Sequence, residues 1–85
     1  MLMTNVRKGT IVRLRNGFRA KVEDNLVRGM TRLCTVYGAE FGMFDEMGSV
    51  YSSDIVQAEV NGMFVSVQLT PAQAKSAKTR AAFGF

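Results

Sequence analysis

Arg13, Arg15, Arg19 and Lys21 fall within nine residues, in a segment that alternates apolar and basic side chains. Guanidinium and ammonium groups at this spacing suit the capture of phosphates, because each one that engages a nucleic-acid backbone releases a condensed counterion. Arg7, Lys8 and Arg28 extend the same cationic tract, and Arg32 follows. Residues 1 to 32 carry eight bases and two acids, whereas residues 33 to 70 carry five acids and no base. The last fifteen residues add three bases, for a net charge of +4. Charge segregated in this way lets one face meet a polyanion, or an opposite charge on another protein. The expected ligand is the backbone of DNA or RNA. The competing reading is a solvated outer face, partly neutralised by Glu23 and Asp24.

Catalytic chemistry finds little support. The chain has no histidine, which removes Ser–His–Asp and Cys–His arrangements and most transition-metal sites. Cys34 is alone, so neither an intrachain disulfide nor a four-cysteine zinc site is available. A small buried apolar role suits it, in a reducing compartment. No glycine-rich phosphate loop occurs. Asp45 and Glu46 are adjacent, and Glu40, Asp45 and Glu46 lack the alternating spacing of a calcium loop. A non-enzymatic protein without cofactor or metal is expected.

A second surface is suggested by residues 38 to 48, which combine two Phe and two Met with three acids. Phe41, Met43, Phe44 and Met47 flanked by acids suit docking to a protein partner, or capping of a thin core by the phenylalanines. Self-association is a variant, with the basic hairpin of one copy meeting the acids of another. The short length also suits an accessory protein of a phage or plasmid. The first eight residues lack the apolar run of a signal peptide, and no stretch approaches bilayer length. A cytoplasmic protein with no membrane partner is expected.

These residues need elements to position them. Asn16-Gly17 lies between two alternating runs, a strong hairpin signal. A three-residue loop of Arg15, Asn16 and Gly17 pairs Leu14 with Phe18, Val12 with Ala20 and Thr10 with Val22. That register gathers apolar residues on one face and sets Arg13 opposite Arg19 on the other, with Lys21 further along. No aromatic falls on that outer face of the hairpin. Phosphate contact without sequence preference is therefore expected, rather than a reader of unpaired bases. At Asn61-Gly62 a two-residue turn pairs Val60 with Met63, Ala58 with Val65 and Val56 with Val67, all on a buried face. Gln57, Glu59, Phe64, Ser66 and Gln68 then face outward.

Between the hairpins, residues 30 to 37 form a further strand whose inward face is ambiguous between Leu33, Thr35 and Tyr37 on one side and Cys34 and Val36 on the other. Residues 38 to 48 read as a loop, 49 to 52 as a short strand, and 53 to 55 as one tight turn. Thr70 and Pro71 mark a helix N-terminus, and the helix should end before Gly84. Ala74, Ala77 and Ala81 share its expected packing face, with Lys75, Ser76 and Thr79 pointing away. Lys75, Lys78 and Arg80 offer a second phosphate contact, and Phe83 and Phe85 offer a terminal aromatic pair to dock on the body or on a partner.

Five short strands followed by a helix predict a mainly β fold, a small five-stranded SH3-like barrel with a C-terminal α-helix. At Lys8-Gly9-Thr10-Ile11-Val12-Arg13-Leu14 and Gly48-Ser49-Val50-Tyr51-Ser52-Ser53-Asp54-Ile55 the chain resembles SH3-like barrels of the KOW and Tudor-related type. The resemblance spans residues 7 to 69 and implies binding of nucleic acid or peptides. A plasmid-borne dihydrofolate reductase family shares that fold, but its Val-Gln-Ile-Tyr run has no counterpart at Ser49-Val50-Tyr51-Ser52. No catalytic residue carries over. One domain over 1–85 is expected, with barrel 7–69 and helix and tail 70–85.

Overall fold

The computed structural model describes residues 1–37 and 45–84. Six strands run in chain order: β1 Ile11–Leu14, β2 Arg19–Val22, β3 Thr31–Tyr37, β4 Asp45–Tyr51, β5 Ile55–Val60 and β6 Met63–Ser66. Short 3-10 turns cover Met3–Asn5 and Ser52–Asp54, and α1 spans Pro71–Ala82. The strands form one antiparallel sheet in the order β4-β3-β2-β1-β5-β6. The fold is thus mainly β with a C-terminal helix, as expected, but the five-stranded closed barrel is corrected to a six-stranded open sheet. A sixth strand extends the sheet beyond β5, and among the described residues β4 and β6 are its two ends, not paired with each other.

The first hairpin has the register that the apolar pattern requires. Arg13 pairs with Arg19 and Val12 with Ala20. Leu14 N–H donates to Phe18 O at 2.7 Å, and Gly17, at φ +91°, supplies the left-handed residue of the three-residue loop. The second hairpin pairs Val60 with Met63 and Ala58 with Val65 around Asn61 and Gly62, both at positive φ as a type I′ turn demands. Its expected buried face is only partly buried. Ala58 is sealed, but Val60 and Met63 are exposed, because the hairpin tip projects past the core.

Strand β4 begins earlier than its sequence suggests. Thr35 pairs with Met47, Val36 with Glu46 and Tyr37 with Asp45, so residues 45 to 48 are strand rather than loop. Pairing with the long β3 overrides the poor strand propensity of Asp, Glu and Gly there. The tight turn also falls one residue earlier than expected, at Ser52–Asp54.

The core lies on one face of the sheet. Val12, Leu14, Ala20, Val22, Cys34, Ile55 and Ala58 point into it, and Met3 and Val6 of the N-terminal segment fill the hollow. Alternation along β3 is now settled: Arg32 and Cys34 face inward, and Leu33 faces out. Leu2 adds a parallel bridge to Gln68, and the terminal amine donates to Ser66 O at 2.9 Å. Those bonds cover part of the polar backbone that follows β6.

Helix α1 starts with a full capping box. Thr70 Oγ1 accepts from Gln73 N–H, and Gln73 Oε1 accepts from Thr70 N–H. Its docked face is more polar than the alanine stripe predicted. Gln73 is buried and Ala74, Ser76, Ala77 and Arg80 are half-buried, so Ala74 and Ala77 lie toward the body as expected, whereas Ala81 is exposed. The reason is the surface it meets. Gln73 Nε2 donates to Val27 O at 3.1 Å and Gly29 O at 2.9 Å, satisfying carbonyls of the β2–β3 connection. Arg80 lies 3.7 Å from the Tyr51 ring centroid and donates through Nη2 to Ser53 Oγ. Phe83 does not dock on the body but stands exposed, and Phe85 lies outside the described residues.

Candidate nucleic-acid interface

Cross-strand partners in a sheet point to the same face. Arg13 is opposite both Arg19 and Gln57, and Arg19 is opposite Tyr37, so these four side chains form one row across four strands. Lys21, opposite Ile11 and Thr35, belongs to the neighbouring row. Glu59 and Phe64 pair at the β5–β6 end of the same outer face. The Arg13 guanidinium carbon lies 4.4 Å from the Phe64 ring centroid, so the side chain of β6 reaches over β5 to the basic row.

This arrangement corrects one expectation. The outer face does contain aromatic rings, Tyr37 and Phe64, both half-buried. Sequence reasoning missed them because they come from β3 and β6, outside the basic hairpin. Alternation put Phe64 on an outer face, but nothing local places β5 beside β1.

The predicted phosphate ligands divide into three groups. Arg13 and Arg19 are exposed and form no ion pair among the described residues. Lys21 shares the face but lies 3.4 Å from Glu23, whose carboxylate also accepts from Thr35 Oγ1. Arg15, at the hairpin tip, is turned toward the 3-10 turn after β4. Its Nε lies 3.3 Å from Asp54 Oδ1 and its Nη2 donates to Ser53 O at 2.8 Å. Arg7 and Lys8 stand exposed in the turn leading into β1, at the opposite end of the hairpin from Arg15. Arg28 is exposed beside a separate depression lined by Leu2, Thr4, Leu69 and Pro71. It is not brought to the Arg13–Arg19 row.

Arg32 does not extend the patch. It is fully buried beneath the sheet, with Nε donating to Asp24 Oδ1 at 2.7 Å and Nη2 to Val6 O at 2.6 Å and Asp24 O at 3.1 Å. Burial alone would raise the Asp24 carboxyl. The Leu33 N–H, the Arg32 hydrogen bond and charge, and the Leu26 N–H outweigh it and hold the group below its ordinary range. Arg32 and Asp24 together tie the N-terminal segment to the sheet. Cys34 beside them is pushed up to about 11, first by burial, and is a neutral core residue at physiological pH.

Of the second predicted surface, Phe41, Met43 and Phe44 lie outside the described residues. Met47 is exposed on the outer face of β4, opposite Thr35. Lys75 and Lys78 remain exposed on α1, while Arg80 is occupied by Tyr51 and Ser53. Among the described residues there is no cluster of three or more metal-ligating side chains, and no helix is long and apolar enough to cross a membrane. No protein-family model, curated protein or solved structure matches the chain.

Proposed function

We propose that this chain is a small non-enzymatic nucleic-acid-binding protein that holds a single strand across the outer face of its sheet. The observation that carries the proposal is the Arg13–Arg19 pair. Two arginines directly opposite each other, without an acid partner among the described residues, repel across the strands. A phosphate backbone laid between them reverses the sign of that interaction. Tyr37 and Phe64 flank the pair: Tyr37 supplies a ring on which an unpaired base stacks, the usual means of holding single strands, while Phe64 carries the Arg13 guanidinium over its own ring. Lys21 adds a third contact once Glu23 yields to the stronger anion, and Arg7 and Lys8 extend the path.

The strand order β4-β3-β2-β1-β5, with a one-turn 3-10 helix between β4 and β5, supports a relationship to the SH3-like folds. The sixth strand and the open sheet depart from that pattern. The proposed interface does not depend on closure, since it lies on the side away from the core.

The test is a titration of labelled single-stranded DNA and RNA at several salt concentrations. Three contacts through Arg13, Arg19 and Lys21 give a log–log salt slope of about −2 on a single strand. Arg13→Ala combined with Arg19→Ala should reduce it to about −0.7. Absence of salt-dependent binding by the wild-type protein, or an unchanged slope in the double variant, removes the proposal. Exposed Met47 on β4, an end strand of the sheet among the described residues, keeps a second reading in play, a protein-docking module. Capture of a partner abolished by Met47→Ser, with no nucleic-acid binding, would favour it.

A further inference from the structure

On the outer face, Ile11, Arg19, Tyr37 and Glu59 line a depression of about 320 Å³. That volume lies at the small end of ligand sites. We propose that it is a base-binding subsite selective for guanine, an inference that rests on the nucleic-acid reading above and names what the interface recognises.

The chemistry follows from the two charges on its walls. Arg19 and Glu59 line the same depression, yet they form no ion pair with each other or with any other described residue. Neither side chain has a hydrogen bond to a described residue. Opposite charges that line one open depression without pairing offer donors and acceptors to the same ligand. The ligand that bridges them best presents acceptors toward the arginine and two donors toward the carboxylate.

Guanine meets both requirements. Its O6 and N7 accept the two parallel bonds that arginine donates. Its N1–H and exocyclic N2–H lie side by side and match the two oxygens of a carboxylate. Cytosine and adenine each offer one amino group beside a ring-nitrogen lone pair that repels a carboxylate. Thymine and uracil offer one N–H between two carbonyls. Tyr37 supplies a ring for stacking the base, and Ile11 an apolar wall. The guanidinium charge of Arg19 stays on the strand while part of its five-donor fork turns to the base.

Fluorescence anisotropy with labelled ten-nucleotide strands tests the subsite. A strand of thymidines with one central deoxyguanosine should bind about tenfold more tightly than thymidines alone. Deoxyinosine at the same position lacks the N2 amine and should lose most of that gain. Glu59→Gln should bring the ratio of the guanine to the thymidine strand close to one. Tyr37→Leu should lower affinity for both strands. Equal salt-dependent affinity of the wild type for all three strands overturns the guanine subsite and leaves the nucleic-acid reading standing. A guanine preference that survives Glu59→Gln also overturns it. No binding to any strand removes both.

Discussion

Arg32 and Asp24 form an ion pair at 2.7 Å under the sheet, with the arginine side chain wholly removed from water. An arginine in that position makes its contacts with Met3 Sδ, Val6 O and both the carboxylate and carbonyl of Asp24. It pins the N-terminal segment, which itself supplies Met3 and Val6 to the core. Removing one partner of such a pair leaves a buried charge without compensation. Arg32→Met should therefore cost about 3–5 kcal/mol of stability, read by urea unfolding. Adding Asp24→Asn should recover part of the loss, as a double-mutant cycle on a direct contact requires. Under conditions where Arg32→Met stays folded, the proposed strand binding should titrate with the same result as in wild type, because the side chain never reaches the outer face.

The same pair makes the fold sensitive to acid. Asp24 titrates below its ordinary value of 3.8 in the folded chain, so folding favours its ionised form. The unfolded chain binds the proton first as pH falls, and folded-state stability falls with it. The contribution is full above about pH 5 and is lost progressively as pH drops through the ordinary and then the folded pKa. Melting temperature followed from pH 6 to pH 2 should decline over that window. In Asp24→Asn the decline should be shallower, from a lower starting point. An identical slope in the variant would mean that other carboxylates set the limit.

Arg32 also shows where sequence reading stops. The two hairpins were legible because a period of two, anchored at Asn16-Gly17 and Asn61-Gly62, leaves one register that gathers apolar residues on one side. The helix start was legible because Thr70 and Pro71 act within one turn. Arg32 was not, since a basic residue in a strand is ordinarily solvated, and its burial depends on Asp24 and Val6 brought in from other segments. The polar docked face of α1 has the same origin. Gln73 faces inward to meet carbonyls at Val27 and Gly29, which lie far away in sequence. Half of the candidate site was visible, namely the basic row of the first hairpin. Tyr37, Glu59 and Phe64 join it only through the strand order.

Arg19→Gln should move stability and binding in opposite directions. The substitution removes a like charge directly opposite Arg13, which relieves about 0.2–1 kcal/mol of repulsion in the free protein. Thermal unfolding should shift upward by up to a few degrees. Affinity for a single strand should fall, and the salt slope should shrink by about 0.7. A solvated face without a ligand would show only the first effect, so calorimetry and anisotropy on one variant separate the two cases.

Cys34 should behave as a reporter of unfolding rather than as a reactive thiol. It has no exposed surface, and burial raises its pKa to about 11, so the thiolate is scarce at pH 8. Reaction with a disulfide reagent at pH 8 should be far slower in the native protein than in urea. Its rate should rise in Arg32→Met, because loosening the N-terminal segment opens the core beside it. Fast native labelling at the rate of a free thiol would contradict the burial.

Gly48 and Gly17 should respond to alanine with opposite signs. Gly48 pairs with the buried Cys34 in the β3–β4 ladder, so a side chain there would point to the core side. A Cβ built on it meets nothing within 4 Å, and its φ lies outside the left-handed region. It borders a recess of about 290 Å³ that Leu14, Phe18, Val36 and Val50 also line. Gly48→Ala should stabilise the fold by about 0.4–1 kcal/mol, by reducing the freedom of the unfolded chain. Gly17 also has open space around its Cβ position, but at φ +91° it holds the left-handed place in the first hairpin loop. Gly17→Ala should destabilise by about 1 kcal/mol or more. On the proposed function it should also weaken strand binding, since that loop holds Arg13 opposite Arg19. Thermal melts of the two variants beside wild type decide the matter. A loss of stability in Gly48→Ala would show that the inner face of β4 is already closed.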